Sequence, residues 1–275
     1  MTNAPQRPVL RYHGGKWLLA PWIISHFPEH RIYVEPFGGA ASVLMQKPRC
    51  YSEVYNERSG EVVNLFRVLR ERGHELREAL MTTPFARDEY RCSFEPCTDE
   101  LESARRLVVR SFQGFGSNSN RREVRSGFRN NANRSGTTPA HDWEHLPHCM
   151  DAMIDRLRGV VIENKDAMDL MQQMDRNDVL HYCDPPYPHS TRMESSATKG
   201  YDHEMSDDDH RRMAKVLNAL NGSVVLSGYP CVLYDEELFP HWHRLSRRAL
   251  ADGARERTEC LWLNPRAVDA NRRLL

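Results

Sequence analysis

The chain has 275 residues, 38 Lys and Arg against 38 Asp and Glu, and 40% hydrophobic residues. That length suits one α/β catalytic domain with an insertion, or two small domains. Zero net charge makes no case for nucleic acid or membrane, so any basic surface has to come from local clustering. No apolar run approaches the ~20 residues that span a bilayer. The N-terminus lacks the apolar core of a signal peptide, and a cytoplasmic location is the expectation. The seven cysteines, at 50, 92, 97, 149, 183, 231 and 260, form no CxxC pair and read as reduced thiols. His241 and His243 have no acid or cysteine partners in sequence, so no metal is expected.

Along the chain, "RIYVEPFGGAASVL" (31–44) reads as a short strand, a glycine turn and a helix start. A second strand at 50–55 closes on Asn56 and Glu57, which predicts a right-handed strand-helix-strand unit. Val62, Leu65, Phe66 and Leu69 fall at i, i+3, i+4 and i+7, one helix face that Gly73 ends or bends. The pattern recurs weakly over 101–112. Residues 113–142 then turn rich in Gly, Ser, Asn and Arg and read as an insertion. Regular structure resumes at 150–157, followed by a strand at 160–163, a short helix at 168–174 and a strand at 179–183. Ser206 can cap a helix whose face is Met213, Val216, Leu217 and Leu220. Strands at 224–227 and 261–263 complete an α/β fold with a doubly wound, mostly parallel sheet. Residues 1–68 and 150–275 are expected to form the catalytic domain, with 69–149 inserted in it.

The segment "HYCDPPYPHS" (181–190) follows a strand and is stiffened by three prolines around one acid. Proline fixes its own φ and pushes the preceding residue toward extended geometry, so Asp184 and Pro185 are both held out of the helical region. Prolines after a strand are also ordinary loop punctuation. In an open parallel sheet, ligands gather beyond the carboxyl ends of the strands. Glu35, Glu57, Asp166 and Asp184 all sit at or just past such ends, so four acids are expected to rim one cleft. Gly38 and Gly39 allow close backbone approach. Glu57, about 20 residues further on, suits ribose hydroxyls. The dinucleotide fingerprint and the Walker lysine are absent, which points to a nucleoside-bearing cofactor other than NAD or ATP.

In order along the chain, "YHGGK" (12–16), "VEPFGGAAS" (34–42), "VYNE" (54–57), an Arg-rich middle and "DPPY" (184–187) resemble the Dam-type DNA adenine methyltransferases, particularly phage and prophage members. "SGY" (227–229) and "TECLWLNP" (258–265) also fit that group. The resemblance implies a class I methyltransferase fold, S-adenosylmethionine as methyl donor and the 6-amino group of adenine in double-stranded DNA as acceptor. It places Tyr12 and Lys16 near the cofactor, Glu35, Phe37, Gly38 and Gly39 around its methionine part, Glu57 on its ribose and Asp166 on its adenine. Ala167 departs from relatives that carry an aromatic residue there, and cannot cover an adenine ring. The catalytic set is Asp184, Pro185, Pro186 and Tyr187, with Tyr187 stacking on a flipped base and 188–201 placed to close over it.

Between 105 and 134 stand eight arginines and one acid, Glu123. Such a segment can neutralise phosphates or read guanine, and Arg121, Arg122, Arg125 and Arg129 are the candidate DNA contacts. In the family this segment reads the target, but "SGFR" (126–129) differs from GATC-reading relatives and GATC is not assumed. The expected enzyme is an orphan or phage-borne one; the sequence leaves open its oligomeric state, a monomer included, and whether it has a restriction partner. The alternatives are methylation of the cytosine exocyclic amine and an inactive DNA-binding relative.

Overall fold

The computed structural model describes residues 4–116, 126–130, 136–191, 204–251 and 255–272. The sheet is built from β1 (Ile32–Glu35), β2 (Ser52–Asn56), β3 (Val160–Glu163), β4 (Val179–Cys183), β5 (Ser223–Gly228), β6 (His243–Ala251) and β7 (Arg255–Leu263). Their order is β3-β2-β1-β4-β5-β7-β6. The first five are parallel, while β7 runs antiparallel to both β5 and β6. This is the expected α/β fold with a mostly parallel sheet. From β1 the chain steps outward one way through β2 and β3, and from β4 the other way through β5. The carboxyl ends of β1 and β4 therefore meet at the point where strand order reverses, the usual ligand crevice of such sheets.

Ten α-helices are described: α1 (Ala20–Ile24), α2 (Gly60–Glu71), α3 (Gly73–Met81), α4 (Arg87–Cys92), α5 (Glu100–Gln113), α6 (Pro139–His145), α7 (Met150–Leu157), α8 (Ala167–Met174), α9 (Asp207–Ala219) and α10 (Pro265–Arg272). The face predicted for α2 is buried at Val62, Leu65, Phe66 and Leu69. Gly73 opens α3 where a Cβ would stand 2.5 Å from the Ile154 side chain. Ser206 caps α9 in a reciprocal capping box with Asp209. None of the described helices is long and apolar enough to cross a membrane.

Two expectations are corrected. No α-helix joins β1 to β2: residues 38–47 form successive turns, with Ala41 left-handed at φ 53°. Single helical hydrogen bonds, Met45 N to Ala41 O and Lys47 N to Val43 O, do not propagate before Pro48. The other is β6, which the sequence hides because His243, Arg244, Arg247 and Arg248 give an edge strand little apolar alternation.

The helices between 69 and 149 do not build a core of their own. Leu76, Leu80, Leu107, Val108, Phe112 and Trp143 join the cluster that holds Tyr33, Tyr55 and Leu180 of the sheet. At the return to the sheet, Arg156 of α7 donates from Nη1 and Nη2 to the buried Glu53 of β2 at 2.6 and 2.9 Å, and Lys47 Nζ adds a bond at 2.9 Å.

Candidate active site

Beyond the ends of β1 and β4 lies a cavity of about 330 Å³, within the range of small-molecule sites. Its walls include all four predicted acids, Glu35, Glu57, Asp166 and Asp184, together with Tyr12, Lys16, Phe37, Gly38, Gly39 and Pro186. The sequence-predicted cofactor residues and the proline-stiffened acid therefore share one space.

The glycine turn is held from several directions. Gly38 donates its N–H to Asn56 O at 2.8 Å, and Gly39 donates to Glu57 Oε2 at 2.9 Å. The Tyr55 hydroxyl donates to Gly39 O at 2.7 Å. A Cβ on Gly38 would lie 2.1 Å from the Tyr55 ring, and Gly39 is left-handed at φ 47°, so both positions require glycine. The second Glu57 oxygen accepts from Ser59 N at 2.9 Å. Asn56, which closes the second strand, links the ends of three strands: its Nδ2 donates to Pro36 O and Lys165 O, and its Oδ1 accepts from Lys165 N. Asp166 caps α8 by accepting from Met168 N and Asp169 N, and its other oxygen lies 3.6 Å from Arg58. Beside Ala167, Met168 and Phe37 supply apolar wall.

Glu35 is fully enclosed. Its Oε2 accepts from the Tyr33 hydroxyl at 2.7 Å and Leu44 N at 3.0 Å. Burial drives its pKa up to about 8, against the Tyr33 bond, with the Asp184 charge adding to the rise.

Asp184 Oδ2 pairs with Lys16 Nζ at 3.0 Å, with only 5% of the lysine side chain and 17% of the aspartate exposed. Burial raises the Asp184 pKa and Lys16 opposes the rise. Asp184 Oδ1 is buried and makes no hydrogen bond of good geometry among the described residues, although the nearby Tyr187 hydroxyl helps to lower the Asp184 pKa, so this oxygen is an under-used acceptor. Lys16 also donates to Gly14 O at 2.7 Å and sits 4.8 Å from the Tyr187 ring centroid. Tyr187 is buried, meets Tyr229 edge-on at 4.7 Å and donates its hydroxyl to Glu259 Oε2 at 3.2 Å. Glu259, inside the quoted "TECLWLNP", is a site neighbour that sequence spacing could not reveal.

The arginine-rich stretch divides. Arg105 pairs with Glu89 and Glu102, Arg106 with Glu102, and the fully buried Arg110 with Glu61. Those acids lie outside the window that made the segment look so basic. Arg129 is buried, with Asp142 at 4.0 Å. Arg121, Arg122 and Arg125, and most of the 188–201 loop, lie outside the described residues.

Among curated proteins none matches the chain significantly. Residues 12–248, which contain the glycine turn, the strand-end acids and the Asp-Pro-Pro-Tyr corner, match the model of the D12 class N6 adenine-specific DNA methyltransferases, and the chain belongs to that family.

Proposed function

We propose that the chain transfers the methyl group of S-adenosylmethionine to the exocyclic 6-amino group of an adenine flipped out of double-stranded DNA. The observation that carries this reading is the shared cavity: Asp184, which holds a buried oxygen without a geometric hydrogen-bond partner among the described residues, lines the same space as the Gly38–Gly39 turn. The cradle suits the cofactor. Gly38 and Gly39 form a tight turn packed against the Tyr55 and Tyr12 rings that brings backbone to the cavity wall, and Glu35 and Glu57 also line it. Glu35, Phe37, Gly38 and Gly39 would hold its methionine part, Glu57 its ribose, and Asp166 with Phe37 and Met168 its adenine, with Tyr12 beside the turn. When bound, S-adenosylmethionine supplies a methyl group on a positively charged sulfur.

Asp184 Oδ1 accepts one N–H of the target amine, and the Pro185 carbonyl accepts the other. Two acceptors draw the nitrogen toward tetrahedral geometry and free its lone pair for direct attack. As the methyl moves, positive charge passes to nitrogen, and fixed acceptors stabilise it without reorganising. Pro186 lacks an N–H that could compete for those oxygens. The face of Tyr187 would receive the flipped base, offsetting lost stacking. Lys16 lies over that ring and pairs with Asp184 Oδ2, so an entering base would have to displace it from the ring. The inserted 69–149 segment would contact the DNA, with Arg121, Arg122 and Arg125 as phosphate or base contacts.

Incubation with S-adenosylmethionine carrying a labelled methyl and duplex DNA, followed by nucleoside mass spectrometry, tests the reading. Label in 6-methyladenine is expected. Label confined to 4-methylcytosine would transfer the chemistry to the cytosine amine, and DNA binding without cofactor binding would make the chain an inactive relative.

A further inference from the structure

Asp184 is not the only carboxylate enclosed at the catalytic corner. Glu259 projects from β7, one residue before the Cys260 that pairs with Gly228 of β5. It is 8% exposed and accepts the hydroxyl of Tyr187, itself 4% exposed, at 3.2 Å. Charged and titratable groups face it from three directions: Lys16 from the N-terminal segment, Asp184 and Tyr187 from the end of β4, and Arg257 from its own strand. Arg257 also stands 5.5 Å from the ring centroid of Tyr229, the residue that braces Tyr187. Burial pushes the Glu259 carboxyl up, Lys16 pulls it down and Asp184 pushes it up again.

A buried acid whose only task was to satisfy one phenol would be an expensive choice, since a neutral acceptor could do the same without desolvating a charge. Lys16 alone would neutralise Asp184 at a site where catalysis needs negative charge facing a nitrogen that becomes positive. With Glu259 ionised, Asp184 and Glu259 together face Lys16 and Arg257, so Asp184 does not meet the lysine charge alone.

We infer that Glu259 is a positioning residue for methyl transfer, which anchors the Tyr187 phenol and offsets the Lys16 charge beside Asp184. This inference rests on the proposed methyl transfer to adenine. It assigns Glu259 no contact with cofactor or substrate.

The full-length chain and its E259Q, E259A and Y187F variants are compared in single-turnover methylation of a target duplex, with cofactor affinity measured by calorimetry. E259Q keeps an acceptor for the phenol and loses the charge; Y187F keeps the charge and loses the bond. The expected rates fall roughly tenfold in E259Q and roughly a hundredfold in E259A, with a smaller loss in Y187F and cofactor affinity within about twofold of wild type throughout. The acid limb of the rate profile also moves to lower pH in E259Q, because a like charge beside Asp184 has gone. Wild-type rates in E259Q and E259A, or cofactor affinity lost in step with rate, would overturn the inference. Should E259A fail to fold, E259Q decides through its rate and its acid limb. Wild-type protein that binds cofactor and DNA yet methylates no adenine would overturn both this inference and the reading beneath it, before any variant is compared.

Discussion

Glu35 and Asp184 are two carboxylates raised by the same burial, set at the ends of adjacent strands for different work. Glu35, with a pKa of about 8, holds a proton at neutral pH. Seating the cofactor's ammonium group against it requires that proton to leave, so affinity for S-adenosylmethionine should rise as pH increases from 6 toward 8. Calorimetry in buffers of different ionisation enthalpy should register proton release on binding, and E35Q should abolish both effects; a flat profile in wild type would remove Glu35 from the cofactor site. The same shift acts on folding. The unfolded chain loses this proton near 4.5 and the folded chain near 8, so Glu35 makes stability fall as pH rises through that window. Asp184→Ala should lower transfer by at least a hundredfold, about 3 kcal/mol, while cofactor affinity holds; an equal loss of affinity would contradict a role on the target amine. Both acids were legible in the sequence because one ends and the other follows a short apolar strand, and strand ends are where parallel sheets place their ligands. Glu259 was not, because only the antiparallel register of β7 on β5 brings it within reach of a tyrosine 72 residues earlier in the chain.

At the scale of elements, the strands that form the cleft were readable because β1, β4 and β5 are buried on both faces and so appear as apolar runs. The β1–β2 connection was not. Apolar spacing in "AASVLM" resembles a helix, but left-handed Ala41 and the tight Gly38 turn divert the chain. Gly38→Ala tests how closely that turn is packed. Its methyl would collide with the Tyr55 ring at 2.1 Å and approach Asn56 O at 2.9 Å, so a stability loss of about 1–3 kcal/mol is expected, with cofactor affinity falling alongside. Denaturant unfolding and calorimetry measure the two, and an Ala variant unchanged in both would mean the turn is looser than described. Arg156 gives a second test. Burial raises Glu53, but Arg156 and Lys47 outweigh it and hold its pKa below the ordinary carboxylate value. Arg156→Met should cost roughly 3 kcal/mol by leaving buried charge under-compensated, and Glu53's contribution should fade as pH falls through its lowered pKa. An unchanged denaturation midpoint would show that Lys47 suffices alone.

For the whole molecule, neutral composition conceals an uneven distribution, and the structure shows that part of the arginine cluster holds the fold. Arg105, Arg106 and Arg110 answer acids on neighbouring helices, partners that no reading of a local window could find. Replacing Arg121, Arg122 and Arg125 together should therefore weaken DNA binding and flatten its salt dependence by roughly one unit of slope per lost phosphate contact, whereas Arg110→Met should lower stability and leave the slope alone. Fluorescence anisotropy across a salt series checks both, and an unchanged slope in the triple variant would place the phosphate contacts elsewhere. All of this depends on one spatial claim, that the glycine turn of β1 and the proline-held acid of β4 serve two reactants in one cavity. A crystal structure of the chain with an unreactive S-adenosylmethionine analogue tests it most directly. The ribose should lie at Glu57, the amino-acid end at Glu35 and the Gly38–Gly39 turn, and the sulfur-side group should face Asp184; an analogue bound outside this cavity, or turned away from Asp184, would contradict it.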